Sequence, residues 1–220
     1  MKKLLILVLL TCGLSAQISR LPEEFQVVER FLSLTSTFDV GTEVGSFAVA
    51  RKRFFSLTTT FDLVDSNEMP LASASSRFFA WGTVADIADP AGNKIGWIEE
   101  EIFRILPWAE YRVYNSQNQI VALAKMNFWG TYFELTHPNQ PDQIYATITR
   151  PFIRCWRDDW TVQIKDYSVF EQEIIDPRLL IMLAIYQTDK DNRDWIRREI
   201  IDQLQLEQNE NEGRRLEVSN

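Results

Sequence analysis

The sequence predicts a mainly β protein: a closed antiparallel barrel of about twelve strands, built from six two-stranded repeats around a central hydrophobic helix and followed by a C-terminal amphipathic helix. Three observations predict this fold. A short unit recurs along the chain, apolar and polar residues alternate within each unit, and one late segment is apolar on every side. The 220 residues, 45% of them hydrophobic, suffice for one sizeable core. We therefore expect a single domain over residues 23–190.

The internal repeat is the most specific of these observations. Residues 30–40 (RFLSLTSTFDV) return as residues 53–63 (RFFSLTTTFDL). The pattern then continues as a column of bulky residues, each followed six or seven residues later by an acid. The bulky residues are Leu32, Phe55, Phe79, Phe103, Phe128 and Phe152, and the acids are Asp39, Asp62, Asp86, Glu110, Glu134 and Asp158 or Asp159. Because each acid lies between apolar flanks on a predicted strand, we expect these acids on the solvent face.

The central helix is predicted at residues 176–187. Asp176 can cap its N-terminus and Pro177 suits the first helical position. At ~1.5 Å per residue the segment is about half as long as a bilayer crossing requires. Since an open meander of so many strands would leave exposed edges, the sequence predicts that the strands close around this helix.

The two ends of the chain are predicted to lie outside the barrel. Residues 1–16 have the features of a signal peptide, with two lysines, an apolar run and small residues at a cleavage site. An uncleaved N-terminal membrane anchor is the alternative. An amphipathic helix is expected at residues 191–206, with Trp195, Ile196, Ile200 and Leu204 on its apolar stripe, and a disordered tail at residues 207–220. The predicted location is extracytoplasmic, either periplasmic or secreted.

The charge of the chain limits its partners. The formal net charge is −8, and cleavage after Ala16 removes two lysines and no acid, so that the mature chain carries −10. Repulsion from phosphates argues against a nucleic-acid partner. If Cys12 leaves with the signal peptide, Cys155 is the only cysteine that remains and no intramolecular disulfide can form.

The basic triplet Arg51, Lys52 and Arg53 is the candidate ligand site. On a strand, Arg51 and Arg53 share one face, where they could meet a phosphate or a lipid headgroup beside Phe54 and Phe55. The alternative is a solvated strand whose cations pair with acids of a neighbouring unit. A second, looser group of cations is Arg150, Arg154 and Arg157.

No residue pattern predicts catalysis, a metal or another cofactor. His137 is the only histidine, and no serine or cysteine lies at a suggestive spacing from it. Residues 188–194 resemble a calcium loop, yet Arg193 and Asp194 stand where an acceptor and a glycine are needed. A polar turn before the C-terminal helix is the simpler interpretation. We therefore expect that the protein is not an enzyme.

The repeating F-x-S-L-T-x-T-F-D-[VL] unit, the turn DPAGNKIG at residues 89–96 and the late apolar helix resemble the LURP-one-related proteins. These proteins are grouped with phospholipid scramblases and the tubby C-terminal domain, and the resemblance covers residues 23–190. It implies a twelve-stranded barrel around a hydrophobic helix. Tubby domains bind phosphoinositides and scramblases are linked to calcium-dependent lipid movement.

The resemblance implies a binding module that associates with lipid or a membrane surface, and the residues themselves add that it is non-catalytic and exported. Phospholipid headgroups are the expected partner. The alternative is a structural or protein-interaction component of the cell envelope, which would dock through the C-terminal helix or an exposed strand face.

Overall fold

The computed structural model of the chain describes residues 21–30, 35–77, 84–101, 110–127, 130–151, 159–189, 200–203 and 205. Twelve strands lie within these ranges, as the repeat predicted. They are β1 (Glu24–Glu29), β2 (Thr37–Thr42), β3 (Gly45–Lys52), β4 (Thr60–Asp65), β5 (Pro70–Ser76), β6 (Val84–Ala88), β7 (Lys94–Glu100), β8 (Glu110–Asn115), β9 (Ile120–Met126), β10 (Tyr132–His137), β11 (Gln140–Thr149) and β12 (Asp159–Ile164). The predicted signal peptide and tail lie outside the described residues.

The strands form one closed antiparallel barrel, which confirms the predicted fold class. Each strand pairs with its neighbours in sequence, and β1 pairs with β12 to close the barrel, with Glu24 opposite Gln163 and Val28 opposite Asp159. Every described strand therefore has two hydrogen-bonded neighbours, and the barrel has no free edge.

The alternation of residues on each strand separates the core from the surface. On β4, Phe61 and Leu63 are fully buried, whereas Asp62 between them is partly exposed. The even-numbered strands repeat this arrangement, so that large side chains fill the interior in two layers. These side chains are Phe38, Val40, Phe61, Leu63, Ile87, Tyr111, Val113, Phe133, Leu135, Trp160 and Val162.

Two helices follow the last strand. The first, α1 (Ser168–Glu171), is a single turn. The second, α2, is helical from residue 177 to residue 189, where the described stretch ends. Asp176 caps α2 as predicted, because its Oδ1 accepts a hydrogen bond of 2.9 Å from the backbone N–H of Arg178. Residues 200–203 and 205 are also helical, in agreement with a helix near the C-terminus.

The helix α2 fills the barrel. From Leu179 to Tyr186 no residue is more than 2% exposed. The Tyr186 ring packs edge-on against Phe61 at a centroid distance of 5.2 Å. A Cβ added to Gly96 on β7 would lie 3.2 Å from the Leu179 side chain, so a glycine is what lets the barrel wall approach the helix there. None of the helices in the described ranges is long and apolar enough to cross a membrane.

The connections between strands fall at two ends of the barrel. Tight turns join each even-numbered strand to the next, at residues 43–44, 66–69, 89–93, 116–119 and 138–139, and we call this side the turn end. The opposite side, where β3 ends and β4 begins, is the loop end. Arg178 contacts Leu71 near the turn end and Tyr186 contacts Thr59 near the loop end. The helix α2 therefore runs from the turn end to the loop end.

Candidate functional site

The connection between β3 and β4, residues 53–59, exposes three large apolar side chains, and we call it the apolar loop. Phe54 is 69% exposed, Phe55 94% and Leu57 95%. The two phenylalanine rings contact each other in a T-shaped pair, with centroids 4.6 Å apart and an interplanar angle of 82°. Three large apolar side chains exposed on one short connection make this loop a candidate site for contact with an apolar partner.

The base of the apolar loop is fixed on both sides. Arg53 donates its backbone N–H to the carbonyl of Thr60 at 2.8 Å, which continues the strand pairing to the start of the loop. At the other side, the Tyr186 hydroxyl donates to the Thr59 carbonyl at 3.1 Å. Lys52, immediately before the loop, contacts Asp189 of α2 at 2.6 Å. The loop therefore projects from a base that the central helix holds in place.

The structure places the basic triplet at the end of β3 and the first position of this loop, and pairs each cation with a carboxylate. Arg51 donates through both Nη1 and Nη2 to Glu68. Arg53 donates to Asp62 through Nε at 2.7 Å and Nη2 at 2.6 Å. Arg51 and Arg53 both form their pairs on the outer surface, whereas Lys52 points the other way and reaches Asp189.

The two arginine pairs shift the pKa of Arg51, Arg53 and Glu68 in the directions expected beside an opposite charge. The hydrogen bond from Arg51 lowers the pKa of Glu68, and the same bond raises the pKa of Arg51. The hydrogen bond to Asp62 raises the pKa of Arg53. Arg51 and Glu68 therefore stabilise each other's charged forms, and their opposite charges cancel.

The pair formed by Arg53 and Asp62 is part of the internal repeat. Arg30 pairs with Asp39 and Arg77 pairs with Asp86, each across nine residues. Arg53 and Asp62 are separated by the same interval. The sequence indicated pairing of cations with acids only as the alternative for the basic triplet, and we did not predict this nine-residue interval. The signal was present, because each of the first three units opens with an arginine nine residues before its acid.

The fourth unit carries the same ion pair with its charges reversed. Glu101 donates its backbone N–H to the carbonyl of Glu110, as Arg53 does to that of Thr60, so Glu101 takes the place of the arginine. Its partner is Arg112, at 2.8 Å. Arg112 lies between the inward-facing Tyr111 and Val113, where an aspartate lies in the earlier units.

This register corrects the predicted column of acids. Glu110 lies two residues before the expected position and is only 3% exposed, so it does not belong to the solvent-facing column. In the last unit, the position between the inward-facing Trp160 and Val162 holds Thr161, and Asp159 precedes it by two residues. The acids of the column therefore occupy equivalent positions only at Asp39, Asp62, Asp86 and Glu134.

The other predicted candidates have structural roles or lie outside the described residues. The Nδ1 of His137 accepts the backbone N–H of Asn139 at 3.0 Å and closes a turn. The guanidinium of Arg150 lies 4.8 Å from the centre of the Trp160 ring, whereas Arg154, Cys155 and Arg157 are not among the described residues. In the described ranges, no group of three or more His, Cys, Asp or Glu residues could hold a metal ion.

A second surface feature is a cavity of about 540 Å³ at the turn end. It lies between the turns at residues 89–93 and 116–119 and the segment that precedes α2. Its most buried cation, Arg178, donates to Asp176 at 2.6 Å and to the Leu71 carbonyl at 2.9 Å. The hydrogen bond to Asp176 raises the pKa of Arg178. This arginine therefore serves to hold the start of α2 in the barrel.

Comparison with known proteins adds no assignment to these sites: no protein-family model matches the chain, and no curated protein matches it.

Proposed function

We propose that this protein is a non-catalytic, exported binding module of the LURP-one-related type, and that it associates with a membrane surface through the apolar loop. The observation that carries the proposal is the exposure of Phe54, Phe55 and Leu57 on one short connection. Fully burying one such side chain is worth roughly 1.5–3 kcal/mol, so three of them supply several kcal/mol on insertion. That is enough for reversible attachment to a bilayer.

The shape and surroundings of the loop favour a bilayer over a groove on another protein. Its apolar side chains project from a polar base that includes Arg51 and Arg53. A projecting apolar tip above charged residues matches the layering of a bilayer, in which acyl chains lie beneath polar headgroups.

The sequence near the loop end supports the same proposal. The strands on either side of residues 78–83 and 102–109 end on the same side of the barrel as β3 and β4. Those segments read FFAWGT and IFRILPWA. The sequences that link these strands are thus rich in aromatic and aliphatic residues, whereas two turns of the turn end have the polar sequences SNEM and SQNQ.

The test is flotation of the mature protein with phospholipid vesicles. We expect the wild-type protein to float, and the variant Phe54→Ser/Phe55→Ser/Leu57→Ser to lose at least tenfold in partitioning. Val44→Ser is the matched control, because Val44 is 98% exposed at the turn end, and it should bind like wild type. A wild-type protein that does not float with any vesicle would contradict the proposal.

The alternative, a protein-interaction component of the cell envelope, makes a different prediction for the same variants. A soluble assembly that is lost on changing the apolar loop, or on deleting the helical segment with the exposed Ile200 and Ile201, would favour it. Size-exclusion chromatography with light scattering separates the two cases, because membrane association alone leaves the unbound protein monomeric.

The export part of the proposal depends on the signal peptide predicted at residues 1–16. Mass measurement of the protein recovered from its native host tests it directly. Loss of these residues supports export with cleavage, and an intact N-terminus supports the membrane-anchored alternative.

A further inference from the structure

We infer that the apolar loop inserts into electrically neutral phospholipid surfaces, such as phosphatidylcholine, and does not select anionic headgroups. This inference rests on the proposed membrane association and adds the class of lipid. It differs from the expectation drawn from the sequence, in which Arg51 and Arg53 would bind a phosphate.

The cations around the loop are already neutralised within the barrel. Arg51 is paired with Glu68, Arg53 with Asp62 at 2.6 Å, and Lys52 with Asp189 at 2.6 Å. Three positive charges at the base of the loop are thus matched by three carboxylates. A phosphate that approached these cations would have to displace a carboxylate that is already in place.

The neighbouring units extend the neutral surface to both sides. Arg30 is paired with Asp39 at 2.6 Å, and Arg77 is paired with Asp86 at 2.7 Å. Lys94 also lies 3.5 Å from Asp86. From β1 to β6, the outer face beneath the loop end therefore alternates positive and negative groups, on a chain whose net charge is −8. Such a surface has little long-range attraction for an anionic bilayer.

The apolar part of the site is preorganised for insertion. The rings of Phe54 and Phe55 are already packed against each other, and Ser56 donates its hydroxyl to the Thr58 carbonyl inside the loop. Both sides of the loop base are fixed by hydrogen bonds. Insertion therefore costs little ordering of the chain, and contact with acyl chains supplies the affinity.

Insertion through apolar contacts and attraction of cations to anionic headgroups predict different changes in vesicle partitioning when anionic lipid is added. An unpaired lysine or arginine at an anionic membrane contributes a factor of about five in binding, so three unpaired cations would contribute on the order of 100-fold. With the cations paired as observed, we expect less than about a threefold change in partitioning when anionic lipid is added.

The first experiment compares vesicles of phosphatidylcholine with vesicles of phosphatidylcholine and phosphatidylglycerol in equal parts, at low and high salt. Binding to both, with little dependence on salt, supports the inference. Binding that requires phosphatidylglycerol and is lost at high salt overturns the inference but leaves membrane association in place. Binding to neither overturns both.

The second experiment unpairs the cations. Asp62→Asn with Glu68→Gln removes the partners of Arg53 and Arg51, and we expect partitioning onto the mixed vesicles to rise by more than about tenfold while binding to phosphatidylcholine is unchanged. Glu43→Gln with Asp142→Asn is the control, because it removes two exposed acids that are not the partners of Arg51 and Arg53. If this control gains as much as the first variant, or if the first variant gains nothing, the inference is wrong.

Discussion

The ammonium group of Lys52 lies 2.6 Å from Oδ1 of Asp189 and joins the end of strand β3 to the central helix α2. The two partners differ in exposure: the Lys52 side chain is 25% exposed, and that of Asp189 is 2% exposed. The carboxylate is therefore the buried member, and the lysine brings the compensating charge to it from the rim of the barrel. This pair also fixes the residue that immediately precedes the apolar loop.

Replacing Lys52 by methionine should destabilise the protein by about 3–5 kcal/mol, because a carboxylate that is 2% exposed then loses the ammonium group 2.6 Å away. Arg51→Met is the matched control, since its pair with Glu68 is exposed and should contribute less than about 1 kcal/mol. Urea unfolding of the three proteins measures both effects. A Lys52→Met variant as stable as the control would show that Asp189 does not depend on this lysine.

A charge in the middle of α2 should prevent folding. Met182 and Leu183 are at most 1% exposed inside the barrel. An unpaired carboxylate there costs several kcal/mol against a total stability of ~5–15 kcal/mol. We expect Met182→Asp and Leu183→Asp to be insoluble or to melt without cooperativity, whereas Met182→Leu should fold. A soluble aspartate variant with a cooperative melt would place α2 outside the core.

Gly96→Ala should be one of the most damaging small substitutions. The new Cβ would lie 2.1 Å from the Tyr114 carbonyl oxygen and 3.2 Å from Leu179, so strand β8 or the helix must shift. We expect a loss of about 1–3 kcal/mol or more from this overpacking. Gly92→Ala gives a contrast: nothing lies within 4 Å, and only the backbone strain at φ +84° opposes it. That strain should cost about 1 kcal/mol. Thermal melts of both variants test the difference.

The reversed ion pair of the fourth unit can be tested by exchanging its charges. Glu101→Arg alone places two guanidinium groups together and should cost about 0.5–1 kcal/mol. Adding Arg112→Glu should recover part of that loss, because it restores an attractive pair. A double-mutant cycle by urea unfolding measures the coupling. Independent, additive losses would mean that the contact between Glu101 and Arg112 contributes nothing.

Stability should fall at acid pH in a way that depends on Asp86. The hydrogen bond from Arg77 lowers the pKa of Asp86 from its usual value near 3.8. A carboxyl group whose folded-state pKa is lowered stabilises the fold above its unfolded pKa, and that stabilisation is lost as the pH falls through the folded value. Wild-type stability should therefore drop below about pH 4. Asp86→Asn should be less stable than wild type at neutral pH and show a shallower loss below pH 4. If the free energy of unfolding falls equally steeply with decreasing pH in the two proteins, this assignment is wrong.

The fold followed from local patterns in the sequence, whereas the contacts of the site did not. Alternation around residues such as Phe61 and Asp62, repeated along the chain, was enough to predict the number of strands. The capping of α2 by Asp176 could also be predicted from the sequence, because it involves residues two positions apart. In contrast, Lys52 and Asp189 are 137 residues apart, and no local pattern identifies them as partners.

The error in the predicted positions of the acids also has a physical cause. In the fourth unit, Glu101 and its partner are separated by 11 residues instead of nine, so a fixed spacing selects Glu110 in place of Arg112. The exposure of Phe54 and Phe55 could not be predicted from the sequence either. Bulky aromatic pairs are common in strands, and only the observed end of β3 at Lys52 shows that these two lie beyond the strand.

The closure of the barrel by β1 and β12 sets the order in which the chain can fold. Glu24 pairs with Gln163, so the first strand cannot complete its hydrogen bonds until the last strand has been synthesised. The helix that fills the interior comes later still in the sequence. Contacts between such distant parts of a chain make folding slow, because loop-closure entropy is paid before the contacts form. A chain of this topology cannot close its barrel until its C-terminal third has been synthesised.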